Sequence, residues 1–188
     1  MKLIKGIIIP LVSFLLIILL AKTFITALYP FKYKDIIIEE AKKYDISPYL
    51  VASVIKAESS FNSDARSHKN AKGLMQITEE TAYDIATQMG IEGYDVSMLH
   101  EPEVNIAMGC WYLNDLSKEF NGNMDLVLAA YNAGRGNVQK WLKDNRYSSD
   151  GETLSYIPFA ETDKYVKKVK VNFDVYRFCL LYTSDAAD

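Results

Sequence analysis

The sequence predicts a mostly α-helical domain behind an N-terminal hydrophobic anchor. Three observations carry this. Apolar residues recur at spacings of three and four through most of the chain, no stretch alternates apolar and polar residues between hairpin turns, and cap residues bracket the periodic segments. The 188 residues leave room for one domain with a core of ordinary size.

The first element is residues 1–30, MKLIKGIIIPLVSFLLIILLAKTFITALYP. Lys2 and Lys5 precede an apolar run over residues 7–21, broken only by Pro10 and Ser13, and apolar character resumes after Lys22 as far as Leu28. A basic start followed by a hydrophobic segment is a targeting element and not part of a fold. Counted to Leu28, with Lys22 snorkelling, it reaches the ~20 residues that a membrane span needs. No convincing small-x-small cleavage site is present. The expectation is an uncleaved single-pass anchor in the cell membrane, basic end inside and residues 31–178 outside; the alternative is a signal peptide removed on secretion.

The helices follow in order. KDIIIEEAKKYD, from Lys34, places Ile36, Ile37, Ala41 and Tyr44 on one side. Asp45-Ile46-Ser47-Pro48 is a break and a restart, with Ser47 as N-cap and Pro48 at the first helical position of YLVASVIKAESS. GLMQI is a turn, and Thr78 caps EETAYDIATQM, which Gly90 closes. A loop to Leu99 leads to Pro102 and the long helix EVNIAMGCWYLNDLSKEF, ended by Asn121-Gly122. MDLVLAAYNAG stops at Gly134, NVQKWLKD is short, and TDKYVKKVKVNFDVYRF is the last helix.

The remaining ten residues, Cys179 to Asp188, read CLLYTSDAAD. They have no helical period, and CLLYTS resembles the translated end of a transposon-derived sequencing adapter. The natural sequence is therefore expected to stop at Phe178. Cys110 is then the single native cysteine, a small core residue in an apolar helix, and no disulfide or zinc framework follows.

Composition narrows the partners. The formal net charge is −3, and the positive charges of residues 1–30 make the remainder somewhat acidic, so neither nucleic acid nor a polyanion is expected. There is no GxGxxG, no phosphate loop and no repeat, and no cofactor is implied. His68 sits in a polar loop and His100 is remote from it, so no metal site is expected.

One residue breaks the apolar pattern. Val51, Val54, Ile55 and Glu58 share one helical face, so Glu58 points where apolar side chains point, near a helix C-terminus. Burial and the helix dipole both raise a carboxylate's pKa there, and a Glu kept protonated near neutrality suits a general acid. The plainer reading places Glu58 at the edge of the face, reaching water or Lys56.

The motifs AESSFNSDARSHKNAKGLMQI with TEETA, EPEVNIAMGCWYLNDL, LAAYNAGRGNVQKW and IPFAETDKYVKKV occur in this order. Together they resemble the catalytic domain of soluble-type lytic transglycosylases, which has the lysozyme-like fold of goose-type lysozyme. The resemblance covers residues 33–178, and the layout is most similar to the single-domain, membrane-anchored forms of Gram-positive bacteria. It implies that Glu58 is the catalytic acid/base and that Ser67 lies near the substrate's N-acetyl group. It implies that Gly73 and Gln76 belong to the turn walling the cleft, with Gln76 on sugar. Tyr131 and Asn132 then face Glu58, Glu161 buttresses the far side, and Tyr165 is the last motif's tyrosine. Each also has a structural reading: Ser67 as a turn cap, Gln76 and Asn132 on local backbone, Tyr131 in the core, Glu161 serving a helix dipole. Trp111 and Trp141 read as core. Two positions depart from the family pattern. Asn70 stands where many relatives have Gly, which Asn's tolerance of left-handed backbone accommodates. Thr78-Glu79 replaces Met-Pro, which removes a methionine contact but keeps a helix cap.

The chemistry implied by the resemblance needs one carboxylate. Glu58 protonates the glycosidic oxygen between MurNAc and GlcNAc in peptidoglycan glycan strands, the acetamido group stabilises the anomeric carbon, and ionised Glu58 takes the proton of the C6 hydroxyl as it attacks. The product is a 1,6-anhydroMurNAc end, with no water consumed. The alternatives are a muramidase that uses water on the same fold, an inactive peptidoglycan-binding subunit, and a lysin from a phage or conjugative element. No protein partner is legible.

Overall fold

A computed structural model describes the backbone of residues 2–184 and the side chains of residues 10–178. The side chains of Lys2, Lys5 and the tail from Cys179 lie outside the described residues, as does the backbone of residues 185–188. The chain divides into two compact units, Met1–Lys32 and Tyr33–Asp188.

The first unit is helix α1 (Lys2–Leu28), which contains Pro10. Its stretch Pro10–Leu28 has a mean hydropathy of 2.4, long and apolar enough to cross a membrane.

In the second unit, α2 (Lys34–Lys43) buries Ile37 and Ala41. The chain turns through Asp45 at φ 53° and enters α3 (Pro48–Glu58). Ser47 occupies the N-cap position with Pro48 behind it, but its side chain makes no cap hydrogen bond. The start rests instead on the Ser47 carbonyl, which accepts from Leu50 N at 2.9 Å and Val51 N at 3.1 Å. Every residue from Leu50 to Ile55 is buried, so α3 is wrapped by neighbours rather than lying on a surface. It packs mainly against α8 (Ala160–Ser184), and also against α2 and α5 (Pro102–Glu119).

GLMQI is more than a turn. Two-residue strands β1 (Ala71–Lys72) and β2 (Ile77–Thr78) flank it as an antiparallel pair, with Ala71 opposite Thr78 and Lys72 opposite Ile77. Thr78 then caps α4 (Glu79–Met89) by accepting from Thr81 N, and Gly90 closes it at φ 68°. The expected loop to Leu99 contains a 3₁₀ turn, Val96–His100, started by Asp95 Oδ1 accepting from Ser97 N at 2.8 Å. α6 (Met124–Ala133) and α7 (Arg135–Leu142) follow α5, and Asn123 caps α6. Cys110 is free and buried, Trp141 is buried against Phe159, and Trp111 is half-buried. The last helix begins two residues before the expected Thr162 and its backbone continues past Phe178 to Ser184. A helix already propagating gains one backbone hydrogen bond per added residue, which local apolar period does not govern.

Candidate active site

Glu58 is the last residue of α3 and is half-buried. The chain leaves the helix through Ser60 at φ 52° and Phe61 at φ 65°, and Phe61 turns back into the core against Tyr176. That reversal fixes where α3 stops, and so where the carboxyl sits. Burial lifts the Glu58 carboxyl from 4.5 to about 7, while the Tyr165 hydroxyl and the Lys168 ammonium pull the other way. Tyr131 and Tyr165 stand in the same electrostatic neighbourhood, and burial, with Glu58 second, raises both phenols well above their usual value. The Tyr165 hydroxyl has no hydrogen-bond partner of ordinary geometry among the described residues, although it lies close enough to act on Glu58.

The Gly73–Gln76 turn is linked to this neighbourhood through Tyr131, which bonds the Met75 carbonyl. Gly73 has φ 77°, and a Cβ there would lie 2.1 Å from the Leu99 carbonyl oxygen and 2.2 Å from Asn105 Nδ2, so only glycine fits. Gln76 also sits in the left-handed region, at φ 49°, and its Nε2 donates to the Ala65 and Gly73 carbonyls at 3.1 and 2.9 Å. Its amide nitrogen therefore holds the turn to the preceding loop, the local role that polar residues near turns often take. Ser67 does the same for its own loop, accepting from Lys69 N and Ala71 N, each at 3.1 Å. Asn70 stands at φ 59°, a left-handed conformation that Asn tolerates.

Tyr131 donates its hydroxyl proton to the Met75 carbonyl at 2.8 Å, so α6 and the turn are tied together beside Glu58. Its ring packs on Tyr112 at 5.5 Å. Asn132 accepts from Thr162 Oγ1 at 2.8 Å, which ties α6 to the first turn of α8. Asn132 also lines a hollow of about 530 Å³ with Lys69, Asn137, Phe159 and Glu161. Glu161 is different. Its side chain is 80% exposed and its one charge neighbour is the equally exposed Lys69 at 4.0 Å, so the expected buttress has little packing behind it.

Two residues that matter escaped the sequence reading. Asn105 is fully buried on α5; its Oδ1 accepts from Met75 N at 2.8 Å and its Nδ2 donates to the Leu99 and Lys72 carbonyls at 2.8 and 3.1 Å. It is the clamp behind the turn. The signal was an amide between Val104 and Ile106 in an apolar stretch. Thr162, also buried, was hidden as a helix-start residue. Gly109 leaves room for Met75, whose sulfur would meet a Cβ at 2.1 Å.

α3 thus ends on one half-buried acid, with the phenols Tyr131 and Tyr165 acting on it and the Gly73–Gln76 turn tied to Tyr131. The chain belongs to the transglycosylase SLT domain family, whose model matches residues 35–154. It is 35% identical over 150 residues to the soluble lytic murein transglycosylase of Salmonella typhimurium, covering 79% of this chain and 23% of that protein. It is 37% identical over 127 residues to membrane-bound lytic murein transglycosylase C of Haemophilus ducreyi, covering 63% of this chain and 35% of that one. Among solved structures, an inactive mutant of the lytic transglycosylase Slt of Pseudomonas aeruginosa aligns with a TM-score of 0.72 and 37% identity, over 81% of this chain and 25% of that one. The 70 kDa soluble lytic transglycosylase of Escherichia coli aligns at 0.74 with 30% identity, over 83% of this chain and 26% of that one. The chain spans about a quarter of the length of the soluble relatives it matches.

Proposed function

We propose that residues 31–178 form a peptidoglycan lytic transglycosylase that cleaves the MurNAc–GlcNAc β-1,4 bond without water and leaves 1,6-anhydroMurNAc ends. The observation that carries the reading is the placement of Glu58, half-buried at the end of α3 beside Tyr131 and Tyr165: burial pushes its carboxyl up to about 7, which suits a group that gives a proton and then takes one back.

Among the described residues no second carboxylate acts on it. Glu79 is bound to Lys72, Glu161 faces solvent beside Lys69, and Asp64 is exposed. A hydrolase that inverts or retains by the usual routes uses two carboxyls. A single one suits a substrate that brings its own nucleophile, the C6 hydroxyl of MurNAc. Glu58 protonates O4 of the leaving sugar as the C1–O4 bond breaks. The N-acetyl carbonyl supports the anomeric carbon. The O6–C1 bond then forms as the Glu58 carboxylate receives the C6 hydroxyl proton.

The other residues frame this exchange. Ser67, whose oxygen accepts two backbone N–H groups, retains a hydroxyl proton for the N-acetyl carbonyl. Gly73, Gln76, Tyr131 and Asn132 fix the cleft wall, Tyr165 covers the Glu58 carboxyl, and Glu161 meets substrate at the open rim. α1 anchors the domain in the cell membrane with a single pass, in the manner of the anchored Gram-positive forms, and residues 179–188 are no part of the native domain. The protein is expected to release muropeptides from intact sacculi. Glu58→Gln is expected to keep binding sacculi while losing at least ~10² in rate, the share that general acid–base catalysis supplies; a near-native rate would remove Glu58 from the mechanism.

A further inference from the structure

The last turn of a helix leaves carbonyls without intrahelical partners, and those of α3 can be followed one by one. The Ile55 carbonyl accepts from Ser59 N at 3.0 Å and the Lys56 carbonyl from Ser60 Oγ at 3.4 Å. The Ala57 carbonyl, adjacent to Glu58, accepts from Lys168 Nζ at 2.7 Å, across 111 positions of sequence. Lys168 lies three residues beyond Tyr165 and four before Asn172, so the three share one face of α8. That face grips α3 along its length: Asn172 Nδ2 donates to the Ser53 carbonyl at 3.3 Å, Lys168 to Ala57, and Tyr165 stands against Glu58. An ammonium is thereby pinned to the residue preceding the acid. Nothing in a helix cap alone requires a charge there, because a neutral donor would satisfy the carbonyl.

We propose that Lys168 is a positioning residue for the proton transfers at Glu58: its bond to the Ala57 carbonyl holds a fixed positive charge beside the carboxylate that exists between the two transfers. The idea rests on Glu58 as the acid/base. When the C1–O4 bond breaks, Glu58 becomes an anion beside the phenols Tyr131 and Tyr165. From its exposed position Lys168 stabilises that anion through space, a solvent-screened attraction made without contact with the substrate. It also limits how far burial can raise the acid, so Glu58 remains able to ionise near neutrality.

Among the described residues the groups near Glu58 can be named element by element, and α3 itself carries Lys56 in the same last turn. α8 contributes Tyr165 and Lys168, and α6 contributes Tyr131. Both phenols stay neutral over the working range, because burial raises them. α2 carries Glu40 and Lys43 and α5 carries Cys110, and the charges of Glu40 and Lys43 act on Cys110. Lys168 is thus the cation whose removal should move Glu58.

The test is a titration of the Glu58 carboxyl in the full-length protein in detergent. Carbon-13 NMR of δ-labelled glutamate follows it, with Glu58→Gln identifying the signal, beside the pH–rate profile of muropeptide release. Lys168→Met removes donor and charge; Lys168→Gln keeps a donor; Lys168→Arg keeps both. The expected result is that Met and Gln move the Glu58 titration and the alkaline limb of activity to higher pH, whereas Arg leaves both near wild type. Were Met to unfold the protein, Gln and Arg would still separate charge from capping. An unmoved titration in a folded Gln variant would overturn the proposal and leave Lys168 a helix cap. Undiminished activity of Glu58→Gln would instead overturn the functional reading, with the titration still reporting whether Lys168 acts on Glu58.

Discussion

As the proposed acid/base, Glu58 couples catalysis to stability at the level of one side chain. Its folded pKa is about 7 against 4.5 for a free carboxyl. The folded protein therefore holds this proton more tightly than the unfolded chain between those two values, and stability falls as pH rises through that window. Above pH 7 the ionised carboxylate opposes folding by up to about 3 kcal/mol. Glu58→Gln should accordingly raise the melting temperature at pH 8 and bring little change at pH 4, measured by calorimetry at both. The activity should fall on the alkaline side as the acid loses its proton, with a midpoint near 7 in wild type. The position of Glu58 was legible because its spacing from Val51, Val54 and Ile55 put a charge on a face that helices bury. Lys168 was not, because it lies in the charge-rich run VKKVK, where exposed lysines look alike whether or not a distant carbonyl holds them.

At the scale of elements, the Gly73–Gln76 turn is held from three sides: by Asn105 on α5, Tyr131 on α6 and the carbonyl of Ala65 before it. Asn105→Ala would take the partner from a buried N–H, a buried carbonyl and a half-buried one, a loss of about 3 kcal/mol in urea unfolding. Gly73→Ala meets both the Leu99 carbonyl and a left-handed backbone, and should destabilise by at least ~2 kcal/mol. Thr78→Ala removes the α4 cap at ~1 kcal/mol and leaves the turn itself in place. The caps Thr78 and Gly90 and the stop at Gly134 were readable, since each is a local choice of residue type. The 3₁₀ turn and the two-strand pairing were not: the turn is a single short stretch, too brief for an apolar period to show, and the strands pair only two residues each, Ala71 with Thr78 and Lys72 with Ile77. Ser47 shows the converse, an N-cap residue type whose side chain takes no part in the cap.

At the scale of the molecule, an apolar helix and a folded unit are separate compact bodies. If α1 anchors the protein, full-length chains should float with lipid vesicles in a density gradient and chains lacking residues 1–30 should stay with the soluble fraction, both keeping activity. Recovery of full-length protein in the soluble fraction would count against the anchor. The mostly helical architecture was visible in the sequence because helical period and caps agree along nearly the whole second unit. The tertiary ties that build the site, α8 on α3 and α6 on the turn, had no local trace. The most direct test of the central claim is to digest peptidoglycan with the purified protein in water enriched in oxygen-18 and weigh the muropeptides. The account predicts products one water lighter than hydrolytic fragments and free of the heavy isotope, absent when Glu58→Gln is used. Reducing-end products carrying oxygen-18 would show that water attacks the anomeric carbon and would contradict it.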